Sequence, residues 1–230
     1  PLYEAFVKGY TAKQWRRPVR ELPADIITRL PVRFDYNENY YADRWQGIPL
    51  DGYTKIFERI LDSPKIRFEL NTDYFSVRNS IRVRKKTIYT GSVDRYFDYR
   101  HGKLEWRSCD FRKEILPVED YQGTSVMNFA DAEIPWTRIH EPRHLHPERS
   151  YQREKTLIFR EYPEDDSGDM PLYPINDAKN LAVHDRYRVL MAEEKDVVFG
   201  GRLAEYRYFD MHHVIGRAIE AFQRIRDGKL

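Results

Sequence analysis

Apolar residues recur along this chain with two different periods. Near both ends they return every three to four positions, as helices require, and between the ends they alternate, as strands require. In residues 2–15, Leu2, Phe6 and Tyr10 share one helical side, extended by Lys13, and Tyr3, Val7 and Gln14 share an adjacent one. Aromatic residues at helical spacing predict a core-packed helix there, ended by Arg16, Arg17 and Pro18. A short helix is predicted over residues 22–31, with Pro23 and Pro31 near its two ends. Tyr53, Ile56, Phe57 and Ile60 predict another over residues 52–61. Val183, Tyr187, Leu190 and Met191 mark one face of a helix over residues 178–194. Asp210 can cap a last one, in which Val214, Ile215, Ala218, Ile219 and Phe222 recur on one face.

Alternation predicts strands over residues 65–70, 85–90, 125–129, 136–141 and 156–162, and a short apolar strand over 197–199. Residues 96–106 read as a hairpin turning at His101-Gly102. Residues 32–50 are irregular, and Tyr36, Tyr40, Tyr41 and Trp45 suggest a long lid or a partner surface. Glu164, Asp165, Asp166 and Asp169 mark an exposed acidic loop. No internal repeat is visible. The fold class is α+β: helices at both ends and a mainly antiparallel sheet between them.

Composition narrows the function classes. The chain has 230 residues, 33% of them charged, yet the net charge is only +2, which argues against a strongly basic nucleic-acid footprint. The single cysteine, Cys109, excludes an internal disulfide and a multi-cysteine metal site, and fits a reducing cytoplasm. No apolar run approaches the ~18–20 residues of a membrane span, and no signal peptide is visible. The chain begins at Pro1 within a helical pattern, which reads as a fragment.

Candidate chemistry is sparse on spacing alone. Gly200-Gly201 follows a strand, where a backbone can pass close to a bulky partner, and Arg202 adds charge beside it. The pair is not a G-x-G-x-x-G, and none occurs in the chain, so an ordinary strand-loop-helix turn is the simpler reading. Arg29, at the end of its helix, reads as a solvated side chain. His144 and His146 lack convincingly placed companions, and no metal site is expected.

Longer motifs carry more. Residues 3–15, Leu22-Pro23, and residues 29–34, 46–53, 89–94, 97–100, 104–107 and 128–138 resemble UDP-galactopyranose mutase. So does the segment that opens Phe199-Gly200-Gly201-Arg202-Leu203 and closes on Tyr206, Tyr208, Asp210 and Met211. The matches run in order from about residue 2 to 215 and thin out over 62–84 and 145–170. The resemblance implies an FAD-dependent isomerase that interconverts UDP-galactopyranose and UDP-galactofuranose without net redox change. In that family the N5 atom of reduced flavin attacks the anomeric carbon, UDP leaves, and the ring opens and recloses.

Laid on this chain, the resemblance implies that Arg29 and Arg138 grip the diphosphate, with Arg29 on a mobile loop. Tyr40, Tyr173 and Tyr208 then donate hydroxyls to the phosphates. Phe6, Tyr10 and Asn128 form the uridine pocket, and Thr11 and Trp15 lie beside the sugar. Gly201, Arg202, Asp210 and Met211 meet flavin and substrate. Residues 1–62 would be a helical substrate and mobile-loop region, 63–180 the sheet, and 181–230 the closing elements of a Rossmann-like FAD domain, α/β in the whole enzyme. The family's glycine-rich FAD fingerprint and active-site histidine loop are not in this sequence, so the chain alone is expected neither to hold FAD tightly nor to turn over. Val7 stands where many bacterial members carry a second phenylalanine, and Trp136 where tyrosine is common. Bacterial members are commonly homodimers. The competing readings are a catalytically silent UDP-sugar-binding or assembly module and an unrelated protein-interaction domain.

Overall fold

The computed structural model describes residues 2–22, 34–37, 39, 41–166, 168 and 170–230. The predicted helix over residues 22–31, with Arg29, and the predicted phosphate contact Tyr40 lie outside the described residues.

The opening helix begins as a π-helical segment, Tyr3–Lys8, and continues as α1, Gly9–Trp15. The expected core-packed face is only half realised. Thr11, Gln14 and Trp15 are buried, whereas Leu2 and Phe6 are exposed, because only the last turns pack on the sheet. Arg16, in the left-handed region at φ 48°, ends the helix. The described residues of 34–50 carry no helix or strand, as expected, and α2 spans Tyr53–Leu61.

Three sequence expectations need correction here. Residues 65–70 form no strand: Ile66, Phe68 and Leu70 alternate but are exposed, and no strand among the described residues pairs with them. Residues 96–106 form no hairpin. After α3, Tyr74–Val77, a short strand β1, Thr87–Tyr89, leads to α4, Val93–Tyr96, and then to tight turns. Asp98 and Tyr99 adopt left-handed φ of 51° and 56°, and the buried Asp94 carboxylate accepts from the Leu104 amide at 2.9 Å, folding the chain back without pairing. Finally, Glu164 and Asp165 are not loop residues. They end β5, Thr156–Asp165, and Asp165 pairs with the buried guanidinium of Arg107.

The sheet runs in the order β3-β4-β5-β2-β6, antiparallel throughout. Its members are β2, Trp106–Leu116, β3, Val126–Asn128, β4, Arg138–His140, β5, and β6, Tyr173–Pro174. The sequence hid β2 because Arg107, Asp110, Arg112, Lys113 and Glu114 interrupt any apolar alternation. Those charges are used across the strands. Arg160, directly opposite Arg112, reaches Glu114, and the Arg112 guanidinium lies 4.1 Å from the Tyr162 ring centroid.

A second layer holds β1 against β7, Val197–Phe199, as a parallel pair that joins Thr87 to Val197 and Tyr89 to Phe199. Helix α5, Ala178–Glu193, lays the predicted face on the core formed by Val93, Leu104, Trp106, Tyr187 and Tyr206. The Tyr187 hydroxyl donates to the Gly102 carbonyl at 2.8 Å, and the Tyr206 hydroxyl lies 2.6 Å from the Glu105 carbonyl, so both buried phenols are satisfied. Past Gly200 the expected polar loop is partly a helix, α6, Gly201–Ala204. Helix α7, Met211–Arg226, starts at the predicted cap Asp210, which shares a reciprocal capping box with His213. No helix among the described residues is long and apolar enough to cross a membrane.

Candidate functional site

Strand register assembles the centre of the site. Asn128 on β3 sits opposite Arg138 on β4, and Arg138 sits opposite Glu161 on β5. Residues paired across neighbouring strands project to the same face. Arg138 Nε donates to Asn128 Oδ1 at 3.2 Å, and Nη1 donates to Glu161 Oε2 at 3.3 Å. Helix α1 brings the Tyr10 ring to 5.7 Å from the guanidinium. Trp15, five residues on, lies 6.3 Å from Tyr173 on β6, and Tyr173 meets Tyr208 edge-on at 5.3 Å. Arg202 closes the row 4.8 Å above the Tyr208 ring.

Glu161 anchors this group, and the sequence reading passed it over. It is 1% exposed and accepts from every side: Arg138, His140 Nε2 at 3.0 Å, the Thr137 hydroxyl at 3.1 Å and the Cys109 thiol at 3.6 Å. Burial raises its pKa, but the His140 hydrogen bond and the Arg138 charge outweigh burial and hold it below the ordinary value. Part of the signal was available: Glu161 is the one carboxylate of the predicted strand over residues 156–162, and a carboxylate is seldom buried without partners.

The charge states suit an anionic ligand. Burial works against the Arg138 charge, yet Tyr10 and Glu161 raise its pKa, so it stays a cation. Burial lifts the Tyr10 phenol to about 12, against the pull of Arg138, and burial also raises Tyr173. Both are therefore protonated donors at neutral pH. The Tyr10 hydroxyl is buried without a hydrogen-bond partner in good geometry among the described residues.

Not all predicted residues join this centre. Thr11 is buried beside it on α1. Phe6, one turn before Tyr10, is 66% exposed. Met211 is exposed at the first turn of α7, and Asp210 is engaged in capping. Arg202 donates to the Leu172 carbonyl at 2.7 Å and to the Phe209 carbonyl at 3.1 Å, so much of its fork holds backbone. Gly201 adopts φ +86°, a conformation glycine takes without cost.

A cleft of about 820 Å³ adjoins the row and shares Trp15 with it. Tyr89, Gly91, Trp106, Arg107 and Leu203 also line it. Arg107 is 1% exposed, and its Nη2 has no hydrogen-bond partner among the described residues. The same lining carries the carboxylates Asp94, Glu105, Asp165 and Asp166 beside Arg16, Arg17, Arg95 and Lys103, so the cleft offers rings and charges of both signs.

Among the described residues, two groups bring histidine and carboxylate ligand atoms within 4.8 Å of one another: Asp210 with His212 and His213, and Asp120 and Glu141 with His144. Carboxylates do stand near His144: Asp120 at 3.1 Å and Glu141 at 3.7 Å. Glu141, however, is fully buried and already takes the amides of Tyr121 and Gln122 and the Thr156 hydroxyl.

Comparison with known proteins gives one consistent result. The family model described as UDP-galactopyranose mutase matches residues 5–208. The chain is 37% identical over 227 residues to the dTDP-fucopyranose mutase of Escherichia coli, which covers 96% of this chain and 60% of that protein. It is 39% identical over 220 residues to the probable UDP-galactopyranose mutase of Klebsiella pneumoniae, covering 95% and 56%. Against the UDP-galactopyranose mutase of Mycoplasma pneumoniae it is 30% identical over 230 residues, covering 94% and 57%. The chain thus spans less than two thirds of the curated relatives it matches.

Proposed function

The chain belongs to the UDP-galactopyranose mutase family, and on that premise we propose that it forms the nucleotide-binding half of an isomerase interconverting UDP-galactopyranose and UDP-galactofuranose. The observation that carries this reading is Arg138, a half-buried cation fixed by Asn128 and Glu161 beside three tyrosines. Arg138 binds the diphosphate and steadies the charge that builds on it as the glycosidic bond to UDP breaks. Tyr173 and Tyr208 donate their hydroxyls to the same phosphate oxygens. The Tyr10 ring stacks on the uracil, Asn128 reads a base edge, and Thr11 and Trp15 border the sugar. Arg29, from the segment outside the described residues, adds a second cation over the phosphates.

The Arg107 and Trp15 cleft accepts FAD, with Gly201 and Arg202 at its edge. Reduced flavin, when bound, supplies the nucleophile for the anomeric carbon. The 230 residues alone neither hold it tightly nor turn over, and the reaction is cytoplasmic.

Titrating UDP by calorimetry into the chain and into Arg138→Ala tests the assignment. Binding by the chain that the substitution abolishes supports it; equal affinities overturn it. A yellow sample that isomerises UDP-galactose would overturn the inactivity of the isolated chain. A second reading rests on the similarity to the E. coli relative named dTDP-fucopyranose mutase. There the same site takes a deoxythymidine diphosphate sugar, and tighter binding of dTDP than of UDP would select it.

A further inference from the structure

The loop between Asn128 and Arg138 wraps around one ammonium group. Lys13 Nζ lies 2.7 Å from the Phe129 carbonyl, 2.8 Å from Asp131, 3.0 Å from Ile134 and 3.1 Å from Trp136. Four carbonyls converge on a group with three hydrogens, so the cage is fully subscribed. Lysines ordinarily extend toward water. This one turns inward from α1, one turn after Gly9 and on the same helical face. Gly9 makes the approach possible: a Cβ there would lie 2.1 Å from the Ala130 carbonyl oxygen. The loop closes on itself behind the ammonium, with the Phe129 amide donating to the Thr137 carbonyl at 2.9 Å.

We infer that Lys13 is a positioning residue that sets the spacing between Tyr10 and the Asn128–Arg138 pair, and thereby the nucleotide affinity of the site. The helix that carries Lys13 also carries Tyr10, and the caged loop has Asn128 at one end and Arg138 at the other. Without the ammonium, four carbonyls would face one another and the loop would open, taking both residues away from the Tyr10 ring. Burial lowers the Lys13 pKa, while the Asp131 and Glu133 carboxylates support its charge. The inference rests on the reading of Tyr10 and Arg138 as nucleotide-binding groups.

The test uses Lys13→Ala and Lys13→Met. Lys13→Ala empties the cage, whereas Lys13→Met keeps the stem and removes the donors. Both are expected to speed amide exchange across residues 129–136 and to weaken UDP binding about tenfold or more, the equivalent of losing one well-made charged contact. n-Propylammonium, which restores the missing stem and charge, should return Lys13→Ala toward the parent affinity and leave Lys13→Met unchanged. Rescue specific to the emptied cage is not the behaviour of a general loss of stability. If Lys13→Met binds UDP as the parent does with its loop still protected, the inference is overturned. If the parent itself fails to bind UDP, the nucleotide reading falls, and exchange at residues 129–136 still decides whether Lys13 holds the loop.

Discussion

The carboxylate of Glu161 lies 3.3 Å from the guanidinium of Arg138, sealed from solvent while its partner remains partly open. An acid and a base held this way share one orientation. Replacing the acid with alanine strands His140, Thr137 and Arg138 at once, so Glu161→Ala should cost about 2–4 kcal/mol of stability in a denaturant titration. The pKa of Glu161 is lowered on folding, so its contribution is present above the ordinary value of 4.5 and is lost as pH falls through the lowered one. The gap between parent and variant should therefore narrow on acidification below that value. A gap independent of pH would contradict the ionised assignment.

Tyr10→Phe separates stability from binding. The hydroxyl has no hydrogen-bond partner in good geometry among the described residues, so removing it should change stability by less than about 0.5 kcal/mol. The ring remains to stack, and UDP affinity should fall about fivefold if the hydroxyl meets the ligand. Loss of stability without loss of affinity would assign the hydroxyl to the fold instead.

Gly201→Ala should cost about 1–2 kcal/mol, the strain of holding a side chain at φ +86°. Space is not the limit, since the nearest atom to a Cβ there, on Thr90, is 3.8 Å away. Thermal denaturation of the variant measures the cost. A much larger loss would mean that steric contact, rather than backbone strain, keeps this position a glycine.

His184 makes stability sensitive to mild acid. Its ring lies 5.5 Å from that of Tyr206, and burial lowers its pKa, helped by Arg188 and opposed by Asp185 and Glu205. Its Nε2 has no hydrogen-bond partner among the described residues. An unfolded histidine takes up its proton near 6.5, before the folded one does. Stability is thus full above that pH and falls as pH drops through the window below it. His184→Leu should flatten this part of the pH–stability curve. An equally steep curve in the variant would place the sensitivity elsewhere.

Periodicity showed the helices well, yet it did not tell which apolar faces are covered: Tyr187 is buried on α5, whereas Ile56, Phe57 and Ile60 on α2 and Ile215, Ile219 and Phe222 on α7 are exposed. It failed on β2, whose value lies in charged cross-strand contacts such as Arg160 with Glu114, and period-two patterns cannot register them. It also misread Ile66, Phe68 and Leu70, because alternation states what a strand would bury and not whether a neighbour exists to pair with it. In the site, Arg138, Tyr10, Asn128, Tyr173 and Tyr208 were named from motif resemblance, and the structure brings them together. Glu161 was not named, and Lys13 only as a position on the Tyr10 side of its helix, since what matters in each is how many partners converge on it from distant parts of the chain.

The parallel pairing of Thr87 with Val197 carries a consequence for how the molecule is made. During synthesis β1 finds no partner until the roughly hundred residues that separate Thr87 from Val197 have followed it. The antiparallel sheet between them can zip up strand by strand, but the core beneath β1 waits on α5 and β7. Until then Tyr89, Val93 and Leu104 lack the Tyr187 and Phe199 side chains that pack on their cluster, and a nascent chain that pauses between β1 and β7 keeps that apolar surface open to the cell.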